Sequence, residues 1–210
     1  NSIADLLAST LGCACTLLPG HATTPWLLTD SSKRIACDCV FPVLHGTQAE
    51  DGVIQGVLSL LGVPYVGSKV LGSAVSFAKD ITKSLLSHAG IPTVPGVVLT
   101  QANLADYAYD SVRELLGDVV FVKPAAQGSS IGVAKVNTAA AYAQALAQAF
   151  LYDDVVLVER AIVGRELECS VIGNEQLQVT APGEVVVHSD FYSFDAKYKH
   201  ASAADIVVPA

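Results

Sequence analysis

The chain has 210 residues, 51% of them apolar and 15% charged, with a formal net charge of −8. That length suffices for one large domain or two small ones around a buried core. No apolar run approaches the roughly 20 residues of a membrane helix. No basic-headed leader is visible, and the twelve Lys and Arg residues are too scattered for a nucleic-acid surface.

Residues 3–11 (IADLLASTL) carry apolar positions at helical spacing, and CACTLLP after them reads as a short buried strand. CDCVFPVLHG (37–46) reads as a second strand. EDGVIQGVLSLLG (50–62) places Ile54, Val57, Leu58 and Leu61 on one helical face, with Gly62 as its stop. VPYVGS reads as a third strand, and this β-α-β order predicts a doubly wound parallel sheet. A helix over about 79–89 turns Ile81, Leu85, Leu86 and Ala89 inward and ends at Gly90 and Pro92. Beyond it VPGVVLT, DVVFVKP, SIGVAKV, VVLVERA and ELECSVIG are strand candidates, with helices over about 102–116 and 138–151 between them. The expectation is an α/β unit over 1–76 and an α+β unit with an antiparallel sheet over 77–210.

The five cysteines fall as Cys13-Ala-Cys15, Cys37-Asp-Cys39 and Cys169. Their C-x-C spacing within strand-like alternation does not match a zinc site. Reduced structural thiols are expected, which fits a cytoplasmic protein. No methionine occurs, at position 1 or elsewhere, so the chain reads as one that does not start where its gene starts.

FVKPAAQGSSIGVAKV (121–136) carries the most chemistry. An apolar strand delivers Lys123 just before Pro124, and a turn of small residues, Gln127-Gly128-Ser129-Ser130, follows. Backbone N–H groups unobstructed by side chains, with a lysine aimed at them, suit a phosphate chain. A hairpin with a surface lysine is the alternative. Glu159 ends one strand and Glu166 begins the next, suiting an adenine amino group and a ribose, or equally a solvated acidic hairpin. His45 lies at a strand's C-terminal end, where open α/β sheets bind ligands. Lys197 and Tyr198 sit in an aromatic-rich loop, FYSFDAKYKH, and no G-x-x-x-x-G-K-[ST] loop is present.

Together VFPVLHGTQAEDGVIQG, PYVGS, FVKPAAQGSSIGVAKV, VLVERAIVGRELECSVIGN, GEVVVHSDFYSFDAKY and the closing VPA resemble the D-alanine–D-alanine ligases of the ATP-grasp superfamily, in that family's order across 40–210. The resemblance implies an ATP-grasp fold and a cytoplasmic, dimeric enzyme of peptidoglycan precursor synthesis. Its reaction joins two D-alanines through an acyl phosphate made from ATP. Lys79, Lys123 and Lys197 match lysines on the ATP phosphates, Glu159 and Glu166 the adenine and ribose acceptors, and Phe191 an aromatic beside the adenine. Gln127, Gly128, Ser129 and Ser130 match the flap. Glu50 and His45 match residues lining the first D-alanine subsite, and Ser129 and Tyr198 two members of a triad near the second. The family has Met-Asp where this chain has Phe77-Ala78. Its arginine, aspartate and Glu-x-Asn segment, which polarise substrate and bind two magnesium ions (with manganese as an alternative), find no match before Ala210. The chain therefore reads as truncated at both ends, without the back of the grasp and without metal ligands. Another ATP-grasp carboxylate–amine ligase, including the D-alanine–D-lactate type, and an inactive nucleotide-binding fragment are the alternatives.

Overall fold

The computed structural model describes residues 15–21, 23–28, 31–187 and 204–210. The chain divides into two compact units, Asn1–Ala74 and Val75–Ala210.

In the first unit β1 (Cys15–Leu17), β2 (Trp26–Leu28) and β3 (Arg34–Ile35) form an antiparallel three-stranded sheet. The connections between these strands are too short for the dozen or so residues that a parallel crossover needs, so they fold as hairpins. Parallel pairing among the described residues is the bridge Val40–Tyr65, which joins the second and third expected strands at one point each. Between them α1 (Val53–Leu61) buries Gln55, Leu58 and Leu61. It ends where the sequence says it should: Gly62 takes a left-handed conformation, φ 71°, and its N–H bonds back to the Leu58 and Ser59 carbonyls. A helix that the sequence pattern did not announce, α2 (Val70–Phe77), runs across the division between the units.

The second unit opens with α3 (Lys79–His88). A four-stranded antiparallel sheet follows, in the order β4 (Gly96–Leu99), β7 (Val156–Arg160), β5 (Val120–Pro124) and β6 (Ala134–Val136). The expected helix over 102–116 is instead a single 3-10 turn, Leu104–Asp106, followed by α4 (Tyr109–Leu116). Asn103 explains the break. Its side chain accepts from the Thr100 N–H at 2.8 Å and donates to the Val98 carbonyl, a local closure that competes with helix. The alanine-rich α5 (Ala139–Ala149) is capped by Thr138, whose Oγ1 accepts from the Ala141 N–H at 3.2 Å.

Period-two alternation decides which side of this sheet does what. Leu99, Val120, Val122, Val136, Val156 and Val158 point to one face and form the core with Val112 and Leu116 of α4 and Tyr142, Ala145, Leu146 and Ala149 of α5. The opposite face carries Gly96, Glu159, Phe121 and Lys135 in one cross-strand row, and Val98, Leu157 and Lys123 in the next.

Beyond β7 lie two further antiparallel sheets. One orders β12 (Ala204–Val207), β11 (Gly183–Val187) and β8 (Glu166–Glu168). The other pairs β9 (Val171–Ile172) with β10 (Gln178–Val179). Among the described residues no helix is long and apolar enough to cross a membrane.

Candidate nucleotide site

Lys123 emerges on the face of β5 away from the core, because Val122 and Pro124 on either side of it are buried. Phe121 shares that face, about 7 Å back along the strand. Two cavities open along this face. The smaller, about 270 Å³, is lined by Lys79, Lys83, Thr93, Val94, Lys123 and Glu159. The larger, about 580 Å³, is lined by Phe121, Lys135, Glu166, Glu184 and the 161–165 connector.

The smaller cavity is strongly charged. Glu159, only 6% exposed, faces it from the row containing Phe121. Its Oε1 accepts from the Lys83 ammonium and its Oε2 pairs with the Lys123 ammonium. Lys83 donates in addition to the Val94 carbonyl, which fixes it between backbone and carboxylate. Lys79, first residue of α3, is bound differently. Its Nζ donates to the Ala125 carbonyl at 3.1 Å and to the Gln127 carbonyl. Its backbone N–H also bonds to the Ala125 carbonyl. The Lys79 Nζ sits 5.9 Å from the centre of the Phe77 ring, within cation–π range. An aromatic at 77 thus touches the lysine where the family pattern has Met-Asp. Burial, then the nearby Lys123 ammonium, pull the Lys79 pKa down from 10.5, against Asp153, Glu159 and Asp80.

The loop after β5 is tied at its base. Asp153 accepts from the Ala126 N–H at 2.6 Å and from the Val155 N–H at 3.1 Å, and Gln127 Nε2 donates to the Tyr152 carbonyl. Ser129 and Ser130 both hold left-handed backbone, at φ 54° and 60°. Gly132 also takes φ of 69°, and here a side chain has no room: a Cβ would lie 2.8 Å from Pro124 Cγ and 2.9 Å from Tyr152 Cδ2.

Of the residues singled out from sequence, the structure brings Lys79, Lys123 and Glu159 to one cavity. Gln127, Gly128, Ser129 and Ser130 form the loop beside it. Glu166 lines the larger cavity, where Arg165 and Glu184 make a 2.7 Å ion pair that holds the Glu184 carboxyl below its ordinary range. In the first unit His45 and Glu50 lie close, His45 Nδ1 3.7 Å from Glu50 Oε1, while Glu50 Oε2 accepts from the Gly46 N–H at 2.6 Å. His45 borders a cavity of about 380 Å³ with Gln48, Val53, Ile54 and Val57. Phe191, Lys197 and Tyr198 lie outside the described residues. Sequence reasoning missed Lys83 and Asp153. Lys83 carried one signal, its place four residues after Lys79 on the same helix.

Cys15, Cys37, Cys39 and Cys169 are free thiols. Among the described residues no group of three or more His, Cys, Asp or Glu side chains could hold a metal ion.

Two family models cover most of the chain: the D-Ala–D-Ala ligase C-terminus matches residues 85–210 and the D-Ala–D-Ala ligase N-terminus residues 19–68. The chain belongs to the D-alanine–D-alanine ligase family. A D-alanine–D-alanine ligase of Baumannia cicadellinicola is 51% identical over 171 residues, which are 81% of this chain and 46% of that protein. The D-alanyl-alanine synthetase A of Vibrio cholerae superposes with a TM-score of 0.81 at 36% identity, covering 96% of this chain and 60% of that one. The VanG D-Ala:D-Ser ligase of Enterococcus faecalis gives 0.80 at 33% identity, over 98% and 59%. Among solved ligases of this family, then, the shared fold accompanies more than one named product. The chain spans about half the length of the curated relatives it matches.

Proposed function

We propose that this chain provides the nucleotide site and the first-substrate residues of an ATP-dependent ligase joining two D-alanines. One observation carries the reading: Lys79 and Lys123 face a single small cavity beside a loop tied down at its base, and burial together with the nearby Lys123 ammonium disfavours the charged form of Lys79. A polyphosphate in that cavity would relieve the repulsion. Phosphoryl transfer depends mainly on such positioning and charge neutralisation.

In the reaction so assigned, a carboxylate oxygen of the first D-alanine attacks the γ-phosphorus of ATP and ADP departs. The amine of the second D-alanine attacks the acyl carbon and loses a proton, and inorganic phosphate leaves from the tetrahedral intermediate. Lys79 and Lys123, with Lys197, bind the phosphates. Glu159 and Glu166 serve the adenine and ribose, with Phe191 beside the adenine. Glu50 and His45 take the first D-alanine, and Ser129 and Tyr198 orient the second. Gln127, Gly128 and Ser130 cover the phosphates and keep water from the acyl phosphate. Residues 1–76 form the N-terminal substrate domain, and 77–210 the ATP-grasp domain, which carries the nucleotide residues together with Ser129 and Tyr198. Magnesium supplies Lewis-acid chemistry in such ligases, but the described residues offer no ligand set for it, so no step is assigned to it.

A cytoplasmic homodimer is proposed with this activity, supported by apolar side chains exposed on the first unit, such as Phe41, Leu60 and Leu71. Nucleic acid is not a proposed partner at a net charge of −8. The test is ATP binding by calorimetry together with phosphate release in the presence of D-alanine, L-alanine or D-lactate. Binding, with release stimulated by D-alanine alone, supports the reading. Absence of ATP binding overturns it, and stimulation by D-lactate moves the product to an ester.

A further inference from the structure

Glu159 has two carboxylate oxygens, and a different lysine occupies each. Lys83 sits on Oε1 and Lys123 on Oε2, with Glu159 only 6% exposed and the two lysine side chains 22% and 23% exposed. The two cations are not equivalent. Lys83 is on α3 and also donates to the Val94 carbonyl, so its ammonium is held by backbone as well as by charge. Lys123 stands at the end of β5, next to the loop that begins at Ala125. Opposite the carboxylate stem is Gly96, where a Cβ would come within 2.9 Å of Glu159 Cγ; the strand leaves a notch for this side chain.

Nucleotide phosphates entering this cavity would compete with Glu159 for Lys123. A lysine moving from Oε2 to a phosphate would strand a buried carboxylate, which is strongly unfavourable when nothing else compensates it. We propose that Lys83 is a positioning residue: anchored to the Val94 carbonyl, it holds the Glu159 carboxylate so that Lys123 is free to transfer to a nucleotide phosphate. Lys83 acts through Glu159 and needs no contact with the nucleotide. This inference rests on the nucleotide reading above.

The experiment is a double-mutant cycle on ATP affinity, read by calorimetry on the intact chain, with inorganic tripolyphosphate as a second probe. Lys83→Met should raise the Kd for ATP on the order of a hundredfold, the scale of breaking one side of a buried charge pair. Lys83→Arg keeps the charge and should stay within about threefold of the unaltered protein. The deciding comparison is made in Glu159→Gln, where no buried carboxylate remains to be compensated. There the further change Lys83→Met should cost less than about threefold. A lysine that merely pins α3 to Val94 would cost the same in both backgrounds, and equal losses overturn the proposal. Thermal unfolding of every variant checks the fold, and Lys83→Gln replaces Lys83→Met if the latter does not fold. Failure of the unaltered chain to bind either ATP or tripolyphosphate removes the nucleotide reading and this inference together. Normal ATP binding with an additive cycle removes this inference alone.

Discussion

Gly96 lies directly across the β4–β7 ladder from Glu159, and a Cβ at 96 would come within 2.9 Å of Glu159 Cγ and 2.8 Å of the Val158 carbonyl oxygen. The carboxylate reaches its two lysines because the neighbouring strand has no side chain in its way.

Gly96→Ala follows as a prediction. The Val158 oxygen is backbone and cannot step aside, so the strands must separate or Glu159 must swing off its lysines. Overpacking of this kind costs about 1–3 kcal/mol. Urea unfolding should show that loss, and ATP affinity should fall as well. A variant of unchanged stability whose ATP affinity is intact would mean that the notch does not position Glu159.

Lys79 gives a pH dependence whose sign is fixed. Its folded pKa is lowered from 10.5, by burial first and by Lys123 second. Between that lowered value and 10.5 the unfolded chain binds more protons than the folded one, so stability rises with pH across this window and the gain is lost as pH falls through the folded pKa. Phosphates favour the charged form, so ATP binding in the same window should take up a proton. Calorimetric titrations in two buffers of different ionisation enthalpy measure that uptake. Lys79→Arg, which stays protonated, should abolish it. The same uptake in the arginine variant would assign the proton to another group.

Tyr142 offers a test away from the site. It is 4% exposed, its hydroxyl donates to the Tyr107 carbonyl at 3.1 Å, and its ring centre lies 5.6 Å from that of Tyr109. Burial pushes its phenol from 10.0 up to about 12. A raised folded pKa means stability that is complete below pH 10 and lost as pH climbs through about 12. Tyr142→Phe should cost about 1 kcal/mol at neutral pH for the lost hydrogen bond. It should also remove this residue's share of the alkaline decline, measured by urea unfolding at pH 9 and pH 11.5. An identical decline in both proteins would place the titrating group elsewhere.

The face carrying Lys123 was legible in the sequence because strand alternation is a local rule: Val120 and Val122 go in, so Phe121 and Lys123 come out. Gly62 was legible as a helix stop for the same reason, its backbone conformation being fixed by its immediate neighbours. Strand direction is not local. CACTLLP alternates identically in a parallel or an antiparallel sheet, and the brevity of the connection to Trp26 decided for a hairpin. The partners of Glu159 were hidden by register. That Glu159 stands between Gly96 and Phe121, and that Lys83 comes from a helix 76 positions earlier in the chain, follows only once β4, β7 and α3 are packed.

The loop after β5 yields the last prediction. Ser129 and Ser130 take φ of 54° and 60° in succession. This conformation costs a side-chain-bearing residue roughly 1–2 kcal/mol, and such strain concentrates at functional loops. Two properties of Ser129 can therefore be separated, its backbone and its hydroxyl. Ser129→Gly relieves the backbone and should leave stability unchanged or raise it by up to about 1 kcal/mol. Ser129→Ala keeps the strained backbone and removes the hydroxyl alone. Both variants lose the hydroxyl proposed to meet Tyr198 over the second substrate. Both should lower D-alanine-dependent phosphate release on the order of tenfold or more, while ATP affinity measured by calorimetry stays close to that of the unaltered chain. If Ser129→Gly retained full turnover and Ser129→Ala did not, the conformation of the loop rather than the hydroxyl would be what this position supplies. Equal loss in both variants, with the glycine protein no less stable, assigns the role to the hydroxyl.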